Sequence, residues 1–262
     1  MNYFTSKSIE LANCSDYLDQ LNDVYPIGEN AERVIDDQLW EKVKFYYETK
    51  NGKELFKTLM KLPKFPFDDS YVSIFRGDYK LIDNNPKQVQ RICNKLFKMD
   101  IDEIYRRCKQ PKKESREMGE CFKRWINKGL LGFPVVTSEE EFMSNNDDVI
   151  FNGSDYQLKE FAKKYLGYNR EKGLDFIVRI KGEYTIGEAK FISDNGGSQN
   201  GQYKDARELL DEPCNENVKK IAIIDGCVYK PSKTKIYKDF TENDINVMSV
   251  LTLKDFLHSL YL

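Results

Sequence analysis

The segment from residue 173 to residue 190 holds the residues whose types and spacing could do chemistry. Two strand-like runs flank Lys181-Gly182, and a two-residue turn that contains glycine is a strong signal for a β-hairpin. If these two residues form the turn, Asp175 lies directly across from Glu188, with the Cβ atoms about 5 Å apart. Lys190 follows Glu188 by two residues and therefore points to the same face of the strand. The pattern predicts three charged side chains that converge at one end of a hairpin.

Two carboxylates that face each other across a strand pair repel, and a divalent cation relieves that repulsion. Mg²⁺ prefers carboxylate oxygens as ligands and keeps several of its waters. A nearby lysine can orient one water, or help to deprotonate it, for attack on a phosphodiester that the metal polarises. We therefore interpret Asp175, Glu188 and Lys190 as catalytic residues, with Asp175 and Glu188 as ligands of Mg²⁺. A surface hairpin with an ordinary Glu–Lys pair is the alternative interpretation.

The composition excludes several other chemistries. The chain has 262 residues, and His258 is its single histidine, so neither a His-rich zinc site nor a nuclease that needs two histidines fits within one chain. No G-x-x-x-x-G-K-[ST] motif occurs, which leaves no indication of a nucleotide cofactor. The six cysteines form no C-x-x-C pair, and no apolar run approaches the ~20 residues that span a membrane. These features predict a cytoplasmic protein with reduced thiols and no membrane partner.

Helical periodicity dominates the first half of the chain, and a strand-rich pattern follows residue 130. The later half contains the hairpin at 175–190, a helix at 199–210 and a last strand at 248–251 before a final helix. Helices that precede a mixture of strands and helices predict an α/β fold, in which helices flank a central mixed β-sheet and an N-terminal helical layer is added. A proline-punctuated connection is the only plausible internal boundary. We therefore expect an N-terminal helical region over residues 1–62, packed on a core domain over residues 63–262.

Asp175, followed after twelve residues by Glu188-Ala189-Lys190, resembles the D…(D/E)-x-K core of type II restriction endonucleases. Leu174 occupies the place of the proline that usually precedes the aspartate in this family. The similarity covers roughly residues 63–262. It implies a restriction-endonuclease-like core, Mg²⁺ as cofactor, and site-specific cleavage of double-stranded DNA. The further segments that are similar are residues 85–89, 116–125, 190–202, 223–229 and 253–257.

The resemblance also implies that a helix preceding the core packs beside the hairpin. Glu117 or Glu120 on that helix is a candidate for a further metal ligand, and a solvated helix face is the alternative. Ser198 and Gln199 lie where a Gly-rich turn leads into the next helix, whose backbone N–H groups suit a phosphate. Gln199 and Gln202 share a face of that helix, and glutamine can bind adenine through two hydrogen bonds. We expect these three residues to contact DNA, with an ordinary capped helix as the alternative.

The implied partner is double-stranded DNA. A symmetric target would be cut by a homodimer, because the two-fold axis of the protein would match that of the DNA. A DNA methyltransferase would share the target sequence but is not expected to bind this chain. The net charge of -2, from 41 basic and 43 acidic residues, is not the basic signature typical of DNA-binding proteins, but a local cleft can still be positive. A repair or junction-resolving nuclease with the same core, or a non-catalytic DNA-binding module, remains the alternative.

Overall fold

The structure is a computed structural model that describes residues 1–14, 16–26, 31–111, 117–194 and 196–261. The chain forms two compact units. We call residues 1–28 and 114–262 the sheet unit and residues 29–113 the helical unit. In sequence, the helical unit is therefore an insertion between the two parts of the sheet unit.

The sheet unit is built on a six-stranded sheet whose strands lie side by side in chain order. The strands are β1 (Val135–Val136), β2 (Val149–Phe151), β3 (Phe176–Ile180), β4 (Glu183–Ile192), β5 (Val218–Gly226) and β6 (Val247–Met248). β3 runs antiparallel to both β2 and β4, and the other neighbouring strands pair in parallel. All five side chains of β3 are buried, as expected for a strand in the middle of a sheet that is covered on both faces. The hairpin formed by β3 and β4 thus lies at the centre of the sheet.

The described residues also form fourteen α-helices. They are α1 (Tyr3–Ala12), α2 (Tyr17–Val24), α3 (Asp37–Glu48), α4 (Gly52–Met60), α5 (Ser70–Gly77), α6 (Leu81–Asn84), α7 (Pro86–Leu96), α8 (Ile101–Lys109), α9 (Met118–Ile126), α10 (Glu139–Met143), α11 (Asp155–Tyr165), α12 (Gly197–Asp211), α13 (Lys235–Glu242) and α14 (Val250–Ser259). Helices α3 to α8 form the helical unit, and the others belong to the sheet unit. In the described parts of the chain, every helix is too short or too polar to cross a membrane.

Side-chain caps explain where several helices begin. Ser154 and Gln157 form a capping box at the start of α11, which satisfies two backbone N–H groups that the helix itself leaves free. The hydroxyl of Ser249 accepts a hydrogen bond from the backbone N–H of Leu251 and so starts α14. The strand predicted at residues 248–251 is therefore wrong beyond Met248, because the cap turns the chain into a helix.

The prediction of an α/β fold, with a central mixed sheet and flanking helices, is confirmed. The first helix is bound to the last strand, because the buried hydroxyl of Thr5 donates a hydrogen bond of 2.6 Å to the carbonyl of Val247. The compact units do not follow the predicted boundary after residue 62, however. Leu62 and Phe65 lie in one hydrophobic core of the helical unit, which runs from Ile35 to Cys108, so the prolines there bend the chain inside a core rather than between two cores.

Candidate active site

The β3–β4 hairpin has the predicted turn and register. Lys181 and Gly182 both have positive φ angles, 51° and 78°, as the tight turns that suit twisted hairpins require. The cross-strand pairs run from Ile180 opposite Glu183 to Phe176 opposite Gly187. Both predictions are therefore confirmed over the five pairs that form the ladder.

Asp175 lies one residue beyond the last of these pairs, where its side chain takes part in the ladder. Its backbone N–H donates to the carbonyl of Gly187 at 3.1 Å. The backbone N–H of Ala189 donates to Asp175 Oδ2 at 2.9 Å. The carboxylate thus takes the place that a backbone carbonyl would have in a longer strand, which fixes its orientation next to β4.

Lys190 joins the two carboxylates. Its Nζ atom lies 2.7 Å from Glu188 Oε1 and 3.4 Å from Asp175 Oδ2. The three side chains that the sequence predicted to converge are therefore in contact. On the opposite face of the hairpin, Phe176 and Val178 pack into the hydrophobic core with Ala189.

Burial and charge act in opposite directions on Lys190. Burial lowers the pKa of its ammonium group, but the carboxylates of Asp175 and Glu188 outweigh burial and raise the pKa above its ordinary value. The side chain of Glu188 is only 3% exposed, and its Oε2 atom is buried without a hydrogen-bond partner among the described residues. One carboxylate oxygen thus lacks the partner that a buried charge normally has.

The two carboxylates suit a hard divalent cation. Carboxylate oxygens are the ligands that Mg²⁺ prefers, and it is usually bound through one or two of them with waters completing its shell. The unpartnered oxygen of Glu188 fits such a site because a cation would satisfy it. In the described parts of the chain, no three Asp, Glu, His or Cys side chains come together as a metal-binding group. Neither Glu117 nor Glu120 thus forms such a group with Asp175 and Glu188, and the predicted further ligand finds no support.

A cleft of about 520 Å³ opens beside the start of β3, and Glu120 lies on its wall. The other lining residues are Lys123, Arg124, Asn127, Asn152, Gly153, Ser154, Asp155 and Tyr156. The carbonyl of Asp155 accepts a hydrogen bond of 3.4 Å from the backbone N–H of Leu174, the residue before Asp175. The Nζ atom of Lys123 lies 2.7 Å from the carbonyl of Gly153 and 2.9 Å from Asp155 Oδ1. The cleft therefore reaches the chain segment that leads into Asp175.

Glu117 lies just before α9, where it is the N-terminal cap residue without a side-chain hydrogen bond. Gln199 and Gln202 lie in the first part of α12 and are partly buried. Gln199 Nε2 is 3.5 Å from the hydroxyl of Ser193, while its Oε1 atom is buried and has no partner among the described residues. The side chain of Ser198 lies outside the described part of the structure.

Sequence reasoning missed the contacts that hold the segment before Asp175 in place. The guanidinium group of Arg170 donates to the carbonyl of Asp205 at 3.2 Å and to the carboxylate of Glu208 at 2.9 Å. Lys172 forms an ion pair with Asp205. These contacts attach the segment before Asp175 to α12, but nothing in the local periodicity of residues 167–174 indicates them.

Sequence reasoning also missed a buried carboxylate at the end of β5. Asp225 is fully buried and accepts hydrogen bonds from the hydroxyls of Tyr25 at 2.8 Å and Ser249 at 2.6 Å. Burial raises its pKa to about 6, although these hydrogen bonds partly oppose the rise. In the sheet, Asp225 lies beside Phe191, the residue after Lys190, and Tyr25 packs against the Phe191 ring at 5.2 Å. The network thus supports the strand that carries Glu188 and Lys190.

The mixed sheet, with an Asp–Glu–Lys cluster on its central hairpin, is consistent with a restriction-endonuclease-like fold. A family model described as Tsp45I type II restriction enzyme matches residues 2–260. The chain therefore belongs to this family of type II restriction enzymes, and the prediction of a type II restriction endonuclease is confirmed at the level of the family. The match extends the similarity into residues 2–62, which the motif resemblance did not reach. No curated protein and no solved structure matches the chain.

Proposed function

We propose that this chain is a Mg²⁺-dependent endonuclease that cleaves double-stranded DNA at a short recognition sequence. The observation that carries the proposal is the contact of Asp175 and Glu188 with Lys190 on one hairpin. A buried polar atom without a partner costs about 1–3 kcal/mol, and more when it is charged. The unpartnered Oε2 atom of Glu188 is therefore better explained by a cation site than by a purely structural ion pair.

Each of the three residues has a separate role in this proposal. Asp175 and Glu188 would hold the cation, and the hydrogen bond from Ala189 fixes the carboxylate of Asp175 for that purpose. When bound, the metal polarises the phosphoryl oxygen and promotes attack by water. Lys190 donates hydrogen bonds that orient the attacking water, because its ammonium group is fixed beside both carboxylates.

Recognition of DNA is proposed to involve the start of α12. Its backbone N–H groups face a phosphate, and Gln199 and Gln202 bind base edges. Both glutamines are partly exposed at the start of α12, and glutamine can bind adenine through two hydrogen bonds. We further propose that two copies of the chain act on a symmetric site, and that a DNA methyltransferase protects the same sequence without binding this chain.

Digestion of a sequenced plasmid tests the proposal. With Mg²⁺ we expect discrete bands whose ends all map to one short sequence, and no cleavage with a chelator. Asp175→Asn and Lys190→Met are expected to slow cleavage by at least about 100-fold, because the metal or the attacking water is misplaced. Glu183→Gln is the matched control, since Glu183 lies on the same hairpin but is exposed and pairs with Lys219.

Other outcomes would contradict the proposal in different ways. Nicks that depend on DNA structure rather than sequence would indicate a junction-resolving or repair nuclease. Binding of DNA without cleavage would indicate a non-catalytic module. Full activity of the Asp175→Asn variant would remove the assignment of the hairpin as the active site.

A further inference from the structure

The two units differ in the sign of their charge. The helical unit has 19 basic and 14 acidic residues, for a net charge of +5, whereas the sheet unit has 22 basic and 29 acidic residues, for a net charge of -7. The overall charge of -2 therefore conceals a basic unit that is inserted into an acidic one. The net charges favour contact of the polyanionic DNA backbone with the helical unit over contact with the sheet unit, where only local positive regions would attract it.

A groove of about 470 Å³ concentrates this positive charge within the helical unit. Helix α3, helix α4 and the residues around the start of α6 form it. Its charged and aromatic lining consists of Lys42, Lys57, Lys61 and Lys80, Tyr46 and Tyr79, and Glu54 and Asp83. Leu39 and Thr58 complete the lining. Four lysines thus share one concave surface with two acidic residues.

Both acidic residues of the groove are already neutralised. Glu54 forms an ion pair with Lys57 at 3.1 Å, and Asp83 forms one with Lys53 at 2.6 Å. Lys61 and Lys80 are exposed and form no ion pair with any residue that the structure describes, and the same is true of Lys42. The groove therefore presents three lysines whose charge is not compensated within the described chain.

We propose that this groove, on the helical unit, binds the phosphodiester backbone of double-stranded DNA; the inference rests on the function proposed above. Lysine is a mobile point charge suited to phosphate, and each neutralised phosphate releases condensed counterions. The tyrosine hydroxyls of Tyr46 and Tyr79, which bond to no described residue, are available as further donors. Contacts of this kind set affinity and position but carry no direct sequence information. The helical unit thus supplies nonspecific affinity, while the hairpin of the sheet unit supplies the chemistry.

The salt dependence of DNA binding tests this inference. We would measure the affinity of the full chain for a labelled duplex without divalent metal, over a range of KCl concentrations. The double variant Lys61→Gln/Lys80→Gln removes two phosphate contacts, so the slope of log K against log [KCl] should become shallower by about 1.8. If electrostatic contributions vanish near 1 M salt, that slope corresponds to about a 60-fold loss of affinity at 0.1 M. Preference for the cognate sequence should not change.

The double variant Lys87→Gln/Lys98→Gln is the matched control. Both residues are exposed lysines of the helical unit that lie outside the groove, so the change in net charge is the same. We expect a change in slope close to zero for the control, and wild-type binding for Lys61→Arg/Lys80→Arg. Equal slopes for the wild-type protein and the groove variant, or equal losses in both double variants, would overturn the inference. If the wild-type protein cleaves its site but the groove variant binds normally, only this inference fails; if the wild-type protein neither binds nor cuts DNA, the proposed function fails as well.

Discussion

Replacement of the buried carboxylate of Asp225 by an amide should change how stability depends on pH. The pKa of Asp225 is raised by burial from its ordinary value of 3.8 to about 6. This difference corresponds to about 3 kcal/mol of unfolding free energy. The groups that face Asp225 are Tyr25, Tyr17 and Tyr229, whose pKa values are all raised above 10, chiefly by burial. They stay neutral throughout the acid range, so Asp225 is the member of this group that titrates there, and comparison with a variant that lacks the carboxyl group isolates its contribution.

The sign follows from the direction of the shift. Below about pH 4 the carboxyl group is protonated in the folded and unfolded states alike, and its full contribution to stability is present. Between about pH 4 and pH 6 the unfolded chain releases the proton while the folded chain retains it, so stability falls as pH rises. Above about pH 6 the folded protein holds a buried anion, and the loss is complete. Asp225→Asn is neutral at every pH and lacks this dependence.

Urea unfolding of the wild-type protein and of Asp225→Asn, followed from pH 4 to pH 7, measures the effect. The unfolding free energy of the wild-type protein relative to the variant should fall by about 2.4 kcal/mol over this range, because part of the total change occurs below pH 4. Ser249→Ala sharpens the test, because the hydrogen bond from Ser249 lowers the pKa of Asp225, and its loss should extend the fall in stability to higher pH and make the total fall larger. A difference between the wild-type protein and Asp225→Asn that stays constant from pH 4 to pH 7 would refute the reasoning.

Three further predictions test separate parts of the structure. Gly226→Ala should destabilise the protein by at least about 2 kcal/mol in thermal unfolding, because φ is +99° there and a Cβ atom would lie 2.1 Å from the carbonyl oxygen at the end of β4. The control Gly201→Ala, which adds a Cβ atom in open space on a helix, should instead stabilise the protein by up to about 1 kcal/mol. Equal effects of the two substitutions on stability would refute the steric reasoning. Arg170→Gln removes contacts between α12 and the segment before Asp175. It should slow single-turnover cleavage roughly tenfold to 100-fold without changing metal affinity. An unchanged cleavage rate would show that these contacts do not matter for catalysis. Gln199→Ala or Gln202→Ala should lose about 1–3 kcal/mol of discrimination at one base pair, measured as the cleavage of the site relative to its single-base variants. If both substitutions leave these relative cleavage rates unchanged, other residues recognise the bases.

The hairpin could be predicted from sequence because its determinants are local. Lys181-Gly182 sets the turn, the turn sets the register, and the period of two residues along a strand places Glu188 and Lys190 on one face. The contact of Lys190 with both carboxylates follows from that register. A motif of this kind needs no knowledge of the rest of the fold.

The remaining features depend on residues that are distant in sequence. Tyr25 and Asp225 are 200 residues apart, and Arg170 contacts α12 across 35 to 38 positions, so no local pattern marks them. The prolines near residue 63 resemble a boundary between domains but lie within one hydrophobic core. The helical spacing of the apolar residues Met118, Cys121, Phe122 and Trp125 predicts α9 correctly. That spacing does not determine whether Glu120 reaches the carboxylates of the hairpin.

Direct measurement of metal binding tests the central claim most closely, because it does not depend on finding the DNA site. Calorimetric titration of the full chain with Mn²⁺, a substitute for Mg²⁺ at oxygen ligands, should show binding by the wild-type protein and by the control Glu183→Gln. Glu188→Gln and Asp175→Asn should each weaken that binding at least about tenfold, because each removes one of two anionic ligands, while their circular dichroism spectra stay unchanged. Equal Mn²⁺ affinity in all four proteins would contradict the assignment of Asp175 and Glu188 as the metal site.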